Sequence, residues 1–195
     1  HVHAHAELPG TAAGAAASVL IFRRTHAEAR ACACVRAGGF FFGGGHASAP
    51  QNCVDPIPAA AATVTALHTM VGRNVDPMRS GLVTVAHIEA GTTNNIIPPH
   101  AFMEGTIRTL DETSRAALAE GVGRVAQGTA LSHGCTCTHE VIPGYPVTIN
   151  DPEQATLAGQ VTSALLGADN FVEMPRARMG AEDFSYVLQH VPGAM

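Results

Sequence analysis

Between Asp55 and Ile142 the apolar residues change period in an order that few folds accommodate. Asp55-Pro56 offers an N-cap followed by proline at the first helical position. Ile57, Ala61, Val64, Leu67 and Val71 then recur at helical spacing, which predicts a helix from about Pro56 to Arg73 with that stripe buried. Asn74–Gly81 has turn chemistry, with Asp76-Pro77 inside it. Leu82–Ala90 is β-branched and reads as a strand. After a loop, Ala101–Leu110 reads as a second strand, with Met103 and Ile107 on one face and Glu104, Thr106 and Arg108 on the other. Asp111 can cap a second helix carrying Leu118, Val122, Val125 and Thr129, and Gly134 suits its C′ position. A strand near Thr138–Ile142 closes the run.

Strand pieces are expected at Val19–Phe22 and near Cys34–Val35. One strand ahead of residue 46 makes the order β-α-β-β-α-β, the split βαβ or ferredoxin-like arrangement, with a four-stranded sheet and two helices on one face. A further helix, about Pro152–Leu166, is capped by Asp151 and closed by Gly167. A last one, around Glu182–Gln189, follows a Gly-Ala-Glu-Asp cap. The expected fold class is α/β, with an α+β lid. A compact lid-like domain lies at about 28–145 and part of a second domain at 146–195.

Bulk properties exclude several functions. Of 195 residues, 46% are hydrophobic and 14% charged, which favours a packed core over disorder. The net charge of −5, without a basic stretch, argues against nucleic-acid binding. No apolar run reaches the roughly 18 residues of a membrane span. Five cysteines, an odd number, make a disulfide framework a poor fit and suggest a reducing, cytoplasmic-type compartment.

Four clusters carry candidate chemistry. His1, His3 and His5 would share one face of a strand, and imidazole is a common metal ligand; an exposed polar terminus fits them too. Cys32, Cys34, Cys135 and Cys137 form two Cys-x-Cys pairs that could supply four thiolates to zinc. Structural sites favour Cys-x₂₋₄-Cys, so free cysteines are the simpler reading. His46 follows three glycines, where it is either a solvated turn residue or a donor to a developing oxyanion. Glu182 and Asp183 can cap a helix or support metal ligands from behind.

Four motifs in order carry a resemblance: GGGHASAPQNCVDPI, GLVTVAHIEAGTTNNIIPPHAFMEGTIRTLD, GYPVTIND and RMGAEDFSYVLQHVPGAM. Over about residues 43–195 the chain resembles the dinuclear-metal amidohydrolases, a family of aminoacylases, hippurate hydrolase and indole-acetyl-amino-acid hydrolases with carboxypeptidase-like relatives. The resemblance implies a ferredoxin-like lid that dimerises, inserted in an α/β zinc-peptidase-like catalytic domain. Residues 1–27 would then be a remnant of that catalytic domain and 146–195 its C-terminal part. It implies that His46 reaches the neighbouring subunit's site to stabilise a tetrahedral intermediate. By the same resemblance Asn95 lies near substrate, Arg108 holds the substrate carboxylate, and Glu182 and Asp183 support the metal ligands. HVHAHAELPGT is similar to the family's His-Val-x-Pro-x-Leu-Pro segment, which makes His3 or His1 a metal ligand.

The implied reaction is hydrolysis of an N-acyl amino acid by water activated on two divalent ions, zinc or manganese. The other class that the pattern allows is a non-catalytic, lid-type dimerisation module. The family's upstream ligand motif, its Glu-Glu pair and its last ligand histidine have no match here, so a truncated chain is expected. The Ala-, Arg- and Cys-rich stretch 11–42 suggests a reading-frame slip.

Overall fold

A computed structural model describes residues 16–21, 33–37 and 44–195. The chain divides into two compact units. The larger holds Ser18–Ile107 and Thr113–Pro143; the smaller holds, of the described residues, Arg108–Glu112, Gly144–Met195 and the start of the first strand.

In the larger unit, β1 (Ala16–Ile21) and β2 (Ala33–Ala37) precede the short β3 (Gly45–His46) and α1 (Pro56–Asn74). There follow β4 (Gly81–Ala90), β5 (Ile96–Ile97), β6 (His100–Thr109), α2 (Glu112–Ser132), β7 (Cys135–Cys137) and β8 (Glu140–Pro143). The sheet contains the run β7-β2-β6, and β4 pairs with β6. Counting only these four strands, the spatial order is fourth, first, third, second, which is the split βαβ order expected. β2 runs antiparallel to both β6 and β7. The expected strand near 138–142 is two pieces: β7 pairs with β2, while β8 pairs with β1, with Val19 opposite Ile142.

β6 places the core. Its odd-numbered residues, Ala101 through Thr109, are buried and its even-numbered ones half-buried, as the alternation predicts. Ala101, Met103 and Ile107 meet Ala60, Leu67 and Met70 of α1, Val83 of β4, and Leu118, Val122 and Ala126 of α2. Both helices therefore cover the same sheet face. Each fully buried large side chain here, such as Leu67 or Leu118, contributes about 1.5–3 kcal/mol. At Gly105 an added Cβ would run into the carbonyl of Thr84, so glycine allows β4 to pair closely.

α1 starts as predicted: the Asp55 carboxylate accepts from the Ile57 N–H at 2.9 Å, with Pro56 in the first turn. Its buried face is rotated from the expected stripe. Pro56, Ala59, Ala60, Thr63, Leu67 and Met70 are buried, whereas Ile57 is 44% exposed. Close packing selects the small side chains, and Thr63 satisfies its buried hydroxyl by donating to the Ala59 carbonyl at 2.7 Å.

In the smaller unit, α3 (Pro152–Leu166) has the predicted bounds. Asp151 accepts from the N–H groups of Glu153 and Gln154, and Gly167 ends the helix at φ 90°. Asn150 is clasped to Met195 by hydrogen bonds of 3.0 and 3.3 Å. α4 (Phe184–Leu188) is shorter than expected, and the Asp183 side chain makes no capping hydrogen bond.

Candidate active site

The sequence-predicted residues fall into two groups, one in each unit. In the larger unit, β3 pairs antiparallel with β5, placing Gly45 opposite Ile97 and His46 opposite Ile96. The Ala47 N–H donates to the Asn95 carbonyl at 2.9 Å, so this small ribbon brings His46 and Asn95 together. Gly44 makes the approach possible. Its φ is 130°, and an added Cβ would lie 2.9 Å from the Ile97 carbonyl oxygen. A buried Ile97 anchors the ribbon beneath an exposed His46.

The His46 ring is held locally. Its Nδ1 lies 2.7 Å from Ser48 Oγ and accepts from the Ser48 backbone N–H at 3.2 Å. The Asn95 Oδ1 accepts from the Thr93 hydroxyl at 3.1 Å, which leaves the amide N–H groups as donors. Two hydrogen-bond donors, one imidazole and one amide, can thus serve an anion or a polarised carbonyl.

In the smaller unit, Arg108 sits half-buried at the end of β6, and its Nη1 donates to the Met179 carbonyl at 2.6 Å. Met179 leads through Gly180 and Ala181 to Glu182 and Asp183, both exposed. The Glu182 carbonyl accepts from the Ser185 hydroxyl and the Asp183 carbonyl from the Tyr186 N–H, so the main chain of the acidic pair starts α4. Sequence reasoning missed Ser48 and Met179. The first could have been noticed from the His-x-Ser spacing; the second acts through its main chain and leaves no sequence signal.

Among the described residues, no three His, Cys, Asp or Glu side chains gather as a group able to hold a metal ion. His1, His3, His5 and Cys32 lie outside those residues. Cys137 and Cys135 register against Val35 and Ala37 of β2 rather than against Cys34. Cys53, Cys135 and Cys137 form no disulfide among the described residues. Burial, with the Asp55 charge second, pushes the Cys135 thiol above its ordinary pKa.

Residues 43–131 match the peptidase dimerisation domain of the M20 family. Over 155 residues the chain is 40% identical to an N-acetyldiaminopimelate deacetylase of Streptococcus suis, covering 78% of this chain and 40% of that protein. Over 154 residues it is 37% identical to an IAA-amino acid hydrolase of Arabidopsis thaliana, covering 77% and 35%. Among solved structures, a dinuclear metal-binding M20 peptidase of Bacillus subtilis superposes with a TM-score of 0.60 at 25% identity, over 93% of this chain and 39% of that one. The chain spans 40% or less of the length of these relatives. Residues 43–131 are therefore a peptidase dimerisation domain of the M20 family.

Proposed function

We propose that this chain is part of a metal-dependent amidohydrolase that cleaves the amide bond of N-acyl amino acids or similar small conjugates, and that it dimerises through the lid. The observation that carries this reading is the β3–β5 ribbon, which sets His46 beside the turn that carries Asn95, inside the stretch that matches a dimerisation domain. The names of the relatives support it: one is a deacetylase and another an amino-acid-conjugate hydrolase.

Each described residue has a task in such a reaction. The His46 imidazole donates a hydrogen bond to the oxyanion that develops on the attacked carbonyl, where one such donor is worth about 100-fold or more in kcat. Asn95 offers a second donor from the turn that leads into β5. Arg108 holds the substrate carboxylate; the Met179 carbonyl occupies one Nη1 donor and the rest of the guanidinium fork pairs with the anion. Glu182 and Asp183 support the site from the α4 end. Two divalent ions, zinc or manganese, supply the activated water in this reaction class. The described residues do not by themselves form an ion site, and His3 or His1 is proposed as the one ligand in this chain.

Metal analysis of the purified chain, with an assay on hippurate or an N-acetyl amino acid in added zinc or manganese, tests the proposal. Turnover with more than one equivalent of bound metal per chain would rule out a purely structural module. Neither turnover nor stoichiometric metal would leave only a dimerisation module.

A further inference from the structure

We propose that Ser48 is a positioning residue that fixes the His46 ring as its Nε2–H tautomer and so determines which nitrogen donates. The inference rests on the reading of His46 as the oxyanion donor. It starts from a one-way rule: a backbone N–H donates and never accepts. The Ser48 N–H points at His46 Nδ1 from 3.2 Å, so that nitrogen presents its lone pair. In a neutral imidazole the proton then sits on Nε2. The Ser48 hydroxyl lies 2.7 Å from the same nitrogen and donates to it as well.

The opposite tautomer would set an Nδ1–H against the Ser48 N–H, two donors facing each other. It would also present an Nε2 lone pair to a developing negative charge, which repels it. The main chain on either side is pinned: the Ala47 N–H bonds to the Asn95 carbonyl and the Ala49 N–H to the His46 carbonyl, each at 2.9 Å. Ribbon and turn hold the backbone, and Ser48 holds the ring. A base or donor oriented by a third group is a recurring arrangement in hydrolytic sites, and the supporting group acts through the residue it holds.

The test uses this chain labelled with ¹⁵N-histidine, read by long-range ¹H–¹⁵N spectra above the pH range in which imidazoles titrate, with His46→Gln to assign the signal. His46 is expected to show the Nε2–H pattern alone. Ser48→Ala keeps the backbone donor but loses the hydroxyl, and is expected to give a mixture of tautomers. Ser48→Thr restores the single pattern. An Nδ1–H pattern in the unchanged chain, or a Ser48→Ala spectrum identical to it, overturns the assignment. In the turnover assay, Ser48→Ala is expected to lower kcat about 5-fold with KM unchanged, the scale of one neutral hydrogen bond, and Ser48→Thr to recover it. A normal kcat alongside a mixed tautomer would remove Ser48 from the reaction. Absence of turnover in the unchanged chain would count against the amidohydrolase reading, while the spectra still decide the tautomer.

Discussion

Arg108 shows how a single side chain can be placed by two unrelated constraints. Strand alternation sets its direction, and one main-chain oxygen, that of Met179, fixes its head. In an active enzyme carrying this sequence, Arg108→Ala should raise KM about 10- to 100-fold for substrates with a free carboxylate, the range of a hydrogen bond to a charged group. Amide-blocked substrates should be little affected, and equal effects on both would refute the clamp. Arg108→Lys should fail to rescue, because an ammonium cannot serve the carbonyl and a carboxylate in one plane. Cys135 makes a contrasting case. Burial and a raised pKa both hold back its thiolate, so Cys135 should react with iodoacetamide more slowly in the folded chain than in the denatured one. The linkage follows from the same shift. The unfolded chain ionises this thiol at lower pH than the folded one. Its contribution is therefore intact below the ordinary thiol pKa, and folding stability declines as pH rises through the folded value, measurable by denaturant midpoints in alkaline buffer. The residue types proposed for the site are readable in the sequence from the order of four motifs. Ring orientation and the Met179 contact were not, since both depend on rotamers and on chain segments 71 residues apart.

At the scale of elements, α2 contains glycines that helix propensity alone cannot explain. An added Cβ at Gly121 would meet the Met70 sulfur at 2.6 Å, and Met70 is itself buried in the core. Nothing lies within 4 Å of the same position at Gly128. Gly128→Ala should therefore stabilise the fold by about 0.5–1 kcal/mol, the helix propensity difference, while Gly121→Ala should destabilise it by about 1–3 kcal/mol through overpacking. Thermal denaturation of the two variants checks the opposite signs; stabilisation by both would mean that α1 and α2 pack less tightly than described. The same closeness explains why the buried face of α1 departs from its apolar stripe. A helix of alanine, threonine and valine has no strongly apolar side, and the sheet chooses the face that lets backbones approach. Asp-Pro caps and the β6 alternation are different. Each is a local rule about hydrogen bonds or pleat, and tertiary packing did not overrule either one.

For the molecule as a whole, the sheet has a long edge to manage. β4 has ten residues and, among the described strands, pairs with β6 alone. An open strand of that length invites another to pair with it, which supports a dimer built edge to edge through the lid. Ile88 on this strand is 50% exposed. Ile88→Lys should shift the chain from dimer to monomer in sedimentation velocity while leaving its circular dichroism unchanged; a dimer of undiminished stability would place the interface elsewhere. α3 carries another exposed stripe, with Leu157, Val161 and Leu165 between 47% and 77% accessible, and a sequence pattern cannot say which apolar stripe of a helix is covered. β6 links these levels, because the chain passes along it from the larger unit into the smaller one between Ile107 and Arg108. Slipping its pairing by one residue would exchange the two faces, carrying Glu104 and Arg108 inward and Met103 and Ile107 outward. Moving both charges into the core makes such a state prohibitive. The placement of Arg108 is thus insulated from gradual error: the guanidinium cannot drift by a residue without forfeiting the hydrophobic centre of the lid.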